Sequence, residues 1–181
     1  MGFIKEQIES NFSAQGHPLK VYCQKGDLNK GLQKIIQDNQ IEVPSILEFA
    51  RTAPPLSLDI FALVTDGSHF EMLIIEVKLL NSVGLSELSQ LIGYCIVSNS
   101  QYGLLINIDG FESSRLTDII VNEPDVTHIV RSLDGWTKRV DHRIGVMQWD
   151  SCTKNITYSG HGFIKSIPKL CEELLARFDK T

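Results

Sequence analysis

The chain has 181 residues, 43% of them hydrophobic and 22% charged, a length that suits one ordinary domain with a hydrophobic core and is short for two. That balance excludes disordered, collagen-like and membrane-spanning classes. Seventeen Lys and Arg against 22 Asp and Glu give a formal charge of −5, which argues against a surface coated in phosphate-binding charge.

Ile4, Ile8 and Phe12 recur at four-residue spacing, with Phe3 beside them, and predict a short amphipathic helix. A polar loop with Gly16, Pro18 and Gly26 is expected next. A second helix starts after Asp27 as N-cap, burying Leu28, Leu32, Ile35 and Ile36 and carrying Lys30 and Lys34 on another face. Residues 41 to 51 read as a short helix with Pro44 in its first turn, although Ile46, Leu47 and Phe49 would also serve an irregular strand. LSLDIFALV and FEMLIIEVKLL are apolar, β-rich runs on either side of Thr65-Asp66-Gly67-Ser68, the pattern of a β-hairpin.

From about Val83 to Ser98 the period becomes helical, with Leu85, Leu88, Leu91, Ile92, Cys95 and Ile96 as the buried stripe and Glu87, Gln90 and Tyr94 on another face. YGLLINID reads as a buried strand. A short helix near 115 to 121, a strand at THIVRSL and a hairpin of IGVMQWD with NITYSG follow. The last helix has Ser166 as N-cap and Pro168 in its first turn, with Ile167, Leu170, Cys171, Leu174, Leu175 and Phe178 facing the core. The fold class expected is α/β, a mixed central sheet flanked by helices in a single domain over residues 1–181, with a core at about 28–107 and C-terminal strands and helix at 126–180.

Cys23, Cys95, Cys152 and Cys171 are far apart, with no C-x-x-C pair and no histidine at zinc-finger spacing, and read as reduced thiols. Lys5, Glu6 and Glu9 interrupt the start where a secretory signal would need an apolar run, and no later run reaches membrane-spanning length. The expectation is a cytoplasmic protein.

Three signals fall in order on these elements: Asp59 on the first hairpin strand, Glu76-Val77-Lys78 at the end of the second, and Gln90 to Tyr94 on the next helix. Residues two apart on a strand point the same way, so Glu76 and Lys78 project together while Val77 turns away. A hairpin can bring Asp59 beside Glu76. Two carboxylates in an otherwise apolar run would be costly without a partner, and a hard divalent cation is one. Mg²⁺ or Mn²⁺ would be held by Asp59, Glu76 and the Val77 carbonyl, with waters and phosphate oxygens completing the shell. Lys78 would orient or help deprotonate the attacking water, or neutralise charge developing on the phosphate.

Asp59 followed by Glu76-Val77-Lys78, in a hairpin that leads into a helix, resembles the PD-(D/E)XK nuclease superfamily. Gln90 and Tyr94 are similar to the Q-x-x-x-Y helix motif of its RecB-like branch. The resemblance covers residues from about 40 to 107. It implies a restriction-endonuclease-like αβββαβ core and a metal-dependent DNA endonuclease or exonuclease, with catalytic Asp59, Glu76 and Lys78 supported by Gln90 and Tyr94. The leading Pro of the motif is absent, since Leu56-Ser57-Leu58 stands between Pro55 and Asp59, but the Asp is the ligand and the Pro is not. The superfamily often adds an upstream helical Glu to the metal site, for which Glu48 is the best-placed residue, with Glu42 behind it.

Bland readings stand beside these. A lone Glu-x-Lys at a strand end is usually a solvated tip, Gln90 and Tyr94 could be an ordinary polar helix face, and Glu87 reads as a solvated charge. No two of the five histidines have ligand spacing, and none receives a role. Lys20, Lys25, Lys30 and Lys34, and the segment Trp136 to Arg143 with Lys138, Arg139 and Arg143, could grip a DNA backbone, with Trp136 stacking on bases; a solvated helix face and a hairpin loop explain them equally well. The DNA partner is duplex, single-stranded or branched, and a homodimer would suit cutting of both strands. The reading from another class is a non-catalytic module of the same fold that binds nucleic acid or protein.

Overall fold

The structure, a computed structural model, describes residues 2–17, 19–133, 138–157 and 160–179. The fold is α/β with a mixed sheet and flanking helices. Two compact units make it up, Met1–Leu73 with Ile167–Thr181, and Ile74–Ser166.

In the first unit, α1 (Gly2–Ala14) buries Ile4, Ile8 and Phe12, the face that the spacing predicts. It packs against α6 (Ile167–Phe178), whose Leu170, Cys171, Leu174 and Leu175 are buried; Cys171 Sγ approaches the Ile8 carbonyl. The stretch expected to be a polar loop is instead mostly a strand, β1 (Lys20–Asp27), antiparallel to β2 (Ser57–Thr65). Lys20 and Lys25 lie exposed on it while Val21 is fully buried, so its cross-strand partner supplies what its composition lacks. Asp27 then caps α2 (Leu28–Asn39), accepting from the Lys30 amide at 2.9 Å. Leu28, Leu32 and Ile35 of α2 are buried, and Gly31 lets the helix approach so closely that a Cβ there would meet the Phe61 ring at 2.5 Å.

Residues 44 to 52 form the helix α3 (Pro44–Thr52), which buries Ile46 and Ala50 and leaves Leu47 exposed. Phe49 packs on Phe70, ring centroids 5.3 Å apart. The turn after β2 is built by Asp66, whose Oδ1 accepts from the backbone amides of Ser68 and His69, both at 2.7 Å. It leads into β3 (Phe70–Lys78), which runs from the first unit into the second.

In the second unit the strand order is β3, β5 (Tyr102–Ile108), β8 (Lys138–Asp150), β10 (His161–Gly162). Between β3 and β5 come β4 (Ser82–Val83) and α4 (Leu85–Ser98), and after β5 come β6 (Phe111–Glu112), α5 (Ser114–Asn122) and a 3-10 turn (Pro124–Thr127). β4 and β6 pair in parallel as a separate two-stranded sheet. β5 and β8 run parallel, whereas β7 (His128–Leu133) and β9 (Asn155–Ile156) are antiparallel to β8. The expected hairpin of IGVMQWD with NITYSG is present at its tip, with Trp149 opposite Ile156, Asp150 opposite Asn155 and the Thr157 amide donating to the Gln148 carbonyl, while Tyr158 and Ser159 lie outside the described residues. β8 begins six residues before IGVMQWD, so Lys138 to Arg143 form a ribbon with β7 and not a loop. Leu88 and Leu91 of α4 are buried over β5, on the face that carries Leu105, Ile144 and Val146. Gly103 makes that packing close: a Cβ would fall 2.7 Å from Cys95 Sγ and 2.8 Å from Ile144 Cδ1.

Candidate active site

β3 is apolar from Met72 to Ile75 and fully within the core there, and Glu76 continues that run with only 2% of its surface exposed. A carboxylate so enclosed needs compensation. Lys78, two residues on and projecting on the same side, donates from Nζ to Glu76 Oε1 at 2.6 Å, with 22% of its side chain exposed. The same ammonium donates to Gln90 Oε1 at 3.1 Å, and Gln90 Nε2 donates to the Tyr94 hydroxyl at 2.9 Å. The Glu-x-Lys strand end and the Gln-x-x-x-Tyr helix face are therefore one continuous hydrogen-bonded chain of four side chains. Glu76 is no solvated tip, being buried, whereas Gln90, exposed, and Tyr94, half-buried, lie on a polar helix face that Lys78 joins to the strand.

Glu87 shares the predicted face with Gln90 and Tyr94 but does different work. At the third position of α4 its Oε2 accepts from the Gly84 amide at 2.7 Å, satisfying one of the donors at the helix start. It is a cap, a role the Gly-x-x-Glu spacing carries in the sequence.

Asp59 lies exposed on β2. The pairing of β1 with β2 slips there: Gln24 faces Phe61 and Gly26 faces Leu58, so Asp59 and Ile60 oppose the single residue Lys25. Asp59 thus occupies a β-bulge, a feature that re-aims side chains and interrupts the in-out alternation of a strand. Gly26, with φ of +88°, supplies the backbone conformation on the facing strand. Glu48 is exposed on α3 and paired with Arg51, and Glu42 is exposed just ahead of that helix. Among the described residues no group of three or more His, Cys, Asp and Glu side chains is arranged to hold a metal ion. The donors present on β3, the Glu76 carboxylate and the Val77 carbonyl, are hard oxygens of the kind Mg²⁺ or Mn²⁺ takes when waters and phosphate complete its shell.

Of the expected phosphate-gripping residues, Lys30 and Lys34 are exposed on α2 and Arg139 is exposed on β8. Trp136 and the side chain of Lys138 lie outside the described residues. Arg143 is largely enclosed, with an ion pair to Asp141, its guanidinium carbon 5.4 Å from the centre of the Phe163 ring, and a long contact to the Tyr102 hydroxyl. Its charge is used inside the fold.

Elsewhere, the four cysteines are free thiols, and burial pushes Cys23 up to about 11 and Cys171 up to about 12. No helix among the described residues is long and apolar enough to cross a membrane. No family model matches the chain, and no curated protein matches it.

Proposed function

We propose that the chain is a metal-dependent nuclease of the PD-(D/E)XK type, with a restriction-endonuclease-like core, acting on DNA phosphodiesters. The observation that carries the reading is the continuity from Glu76 through Lys78 and Gln90 to Tyr94, because it joins two sequence patterns that chance alone has no reason to connect. Glu76 and the Val77 carbonyl would hold a divalent cation, and Asp59 enters as the second carboxylate on the sequence pattern. When bound, that cation would lower the pKa of a water and offset charge on the phosphate.

The rest falls to the chain's own groups. Lys78 is shared between Glu76 and Gln90, which fixes its Nζ in place, and a fixed ammionium is a preorganised source of positive charge for a phosphate in the transition state. Gln90 holds Lys78 through its carbonyl and Tyr94 through its amide, so it sets the spacing between strand and helix. The Tyr94 hydroxyl accepts from Gln90 and therefore directs its own proton elsewhere, where a phosphate oxygen could accept it. The free thiols fit a reducing cytoplasm.

The test is incubation of wild type, Glu76→Gln, Lys78→Met and Asp59→Asn with supercoiled plasmid, linear duplex and single-stranded DNA, and with RNA, in Mg²⁺ or Mn²⁺. Wild type should cleave and EDTA should stop it. Each variant should lose at least about a hundredfold in rate with an unchanged far-ultraviolet spectrum. Undiminished cleavage in both Glu76→Gln and Lys78→Met would refute the assignment.

One observation favours a second reading. Glu76 and Lys78 neutralise each other at 2.6 Å, which a non-catalytic module that binds nucleic acid or protein would also use to keep a buried carboxylate. Calorimetric titration with Mn²⁺ separates the two, since such a module should show no heat that depends on Glu76.

A further inference from the structure

Glu76 has 3% of its side chain exposed, and the Lys78 ammonium, on a side chain 22% exposed, stands against its Oε1 at 2.6 Å. That is the distance of a strong, charge-assisted hydrogen bond. A divalent cation drawn to Glu76 therefore meets an ammonium already bound to the same carboxylate. A carboxylate has lone pairs enough for both, so the conflict is one of charge and not of space. Two positive charges on one enclosed carboxylate repel each other across a gap that water and salt screen poorly.

The same ammonium has a second acceptor on the neighbouring helix. Gln90 Oε1 takes a hydrogen bond from Lys78 Nζ at 3.1 Å, longer than the bond to Glu76. Gln90 is exposed on α4, and its amide nitrogen donates to the Tyr94 hydroxyl at 2.9 Å, which turns Oε1 toward Lys78. A neutral amide oxygen attracts an ammonium less than a carboxylate does. Gln90 therefore does not draw Lys78 away from Glu76, but it is a partner the ammonium keeps when the charge of Glu76 is shared with another cation.

We infer, resting on the nuclease reading, that Lys78 competes with the divalent cation for Glu76, and that Gln90 is the positioning residue that retains the ammonium once the cation is bound. Lys78 then sets how tightly the site takes metal, besides facing the phosphate. Gln90 acts on metal affinity through Lys78 and does not touch the cation itself.

The test is calorimetric titration of the full chain with Mn²⁺ alone, without nucleic acid, for wild type, Lys78→Met, Gln90→Leu and the double variant. Glu76→Gln is the control that removes the ligand, and a pH of about 8 keeps a proton from replacing the missing ammonium. Lys78→Met should bind Mn²⁺ at least about threefold more tightly than wild type, although it loses cleavage. Gln90→Leu, a change at an exposed position, should bind at least about threefold more weakly, because the ammonium has lost the acceptor that shares it with Glu76. The double variant should match Lys78→Met. A role of Gln90 confined to packing would lower Tm and leave the Mn²⁺ constant unmoved, which overturns the inference. Equal or weaker binding in folded Lys78→Met, with the heat still abolished by Glu76→Gln, would overturn it too and leave the nuclease reading standing. No Glu76-dependent heat in any of the proteins would overturn both. Should Lys78→Met unfold, Gln90→Leu decides: a weakened constant supports the inference and an unchanged one overturns it.

Discussion

Asn107 is the residue whose loss should be most informative about how the Glu76 chain is held. It is fully buried at the end of β5, and its side chain reaches the loop that leaves β3 directly after Lys78. Nδ2 donates to the Leu80 carbonyl at 2.9 Å and to the Phe111 carbonyl at 3.1 Å, while Oδ1 accepts from the Leu80 amide at 3.2 Å. Gly110 permits the approach, since a Cβ there would sit 1.8 Å from the Leu80 oxygen. Asn107→Ala removes three hydrogen bonds to backbone, each worth about 0.5–1.5 kcal/mol net. Leu80 is 45% exposed, so water can recover part of the loss, and a total of about 2–3 kcal/mol follows. For a chain of this size each kcal/mol moves Tm by about 2–4 °C, giving a fall of roughly 5–10 °C. Asn107→Asp should be no better than alanine, because its carboxylate would face two carbonyl oxygens. Calorimetry gives Tm, and hydrogen exchange at the Leu80 amide reports the local opening. A fall below about 2 °C for Asn107→Ala, or wild-type stability in Asn107→Asp, would refute the reasoning.

Two further outcomes follow from packing and protonation. Gly103→Ala places a methyl group against Cys95 and Ile144 and should cost about 1–3 kcal/mol by denaturant midpoint, with Cys95→Ala in the same chain restoring part of it; an additive pair would show that the contact is not the cause. His142 is fully buried with its Nδ1 2.8 Å from the Ser100 carbonyl, and burial holds its pKa below the ordinary 6.5. The unfolded chain therefore binds that proton first, so the stability contributed by neutral His142 is complete above about 6.5 and is lost as the pH falls through and below that value. His142→Gln should flatten the stability curve between pH 7 and 5, and parallel curves for the two proteins would show that another group is responsible.

What the sequence made legible and what it hid divide along physical lines. Periodic apolar faces were readable wherever one element buries one stripe, as in α1, α2 and α6. β1 was not, because Lys20, Gln24, Lys25 and Gly26 give it the composition of a loop, and its burial comes from pairing with β2. The early start of β8 was hidden for the same reason, since the charged residues from Lys138 to Arg143 are stabilised by their register with β7. At the candidate site, strand alternation correctly put Glu76 and Lys78 on one side. The contact of Lys78 with Gln90 spans twelve positions and two element types, so no local period encodes it. Glu87, read as a solvated charge, is instead an acceptor for the Gly84 amide, because in the first turn of α4 free amides need acceptors and the face it shares with Gln90 does not encode that. The bulge at Asp59 is a register effect and invisible in a single strand's residues.

The net charge of −5 acquires a sharper meaning once each cation is followed to its partners. Lys78 is committed to Glu76 and Gln90, and Arg143 to Asp141 and the Phe163 ring. Arg131 is turned inward as well, donating to the Ile96 carbonyl near the end of α4. Arg131 and Arg143 hold elements in place and cannot also be spent on a solvent-borne phosphate backbone without loosening them, and Lys78 serves one phosphate at the proposed site and not the length of a strand. If only one or two cations of the second unit met a DNA strand, the salt slope would be about −0.9 per contact, and raising salt from about 50 to 200 mM would cost roughly tenfold in affinity, against a thousandfold or more for a protein with six to ten such contacts. For the proposed nuclease, that leaves the divalent cation as the main source of attraction at the scissile phosphate. Binding without metal should then be weak for any sequence, and selectivity must come from the shape of the strand that the site admits.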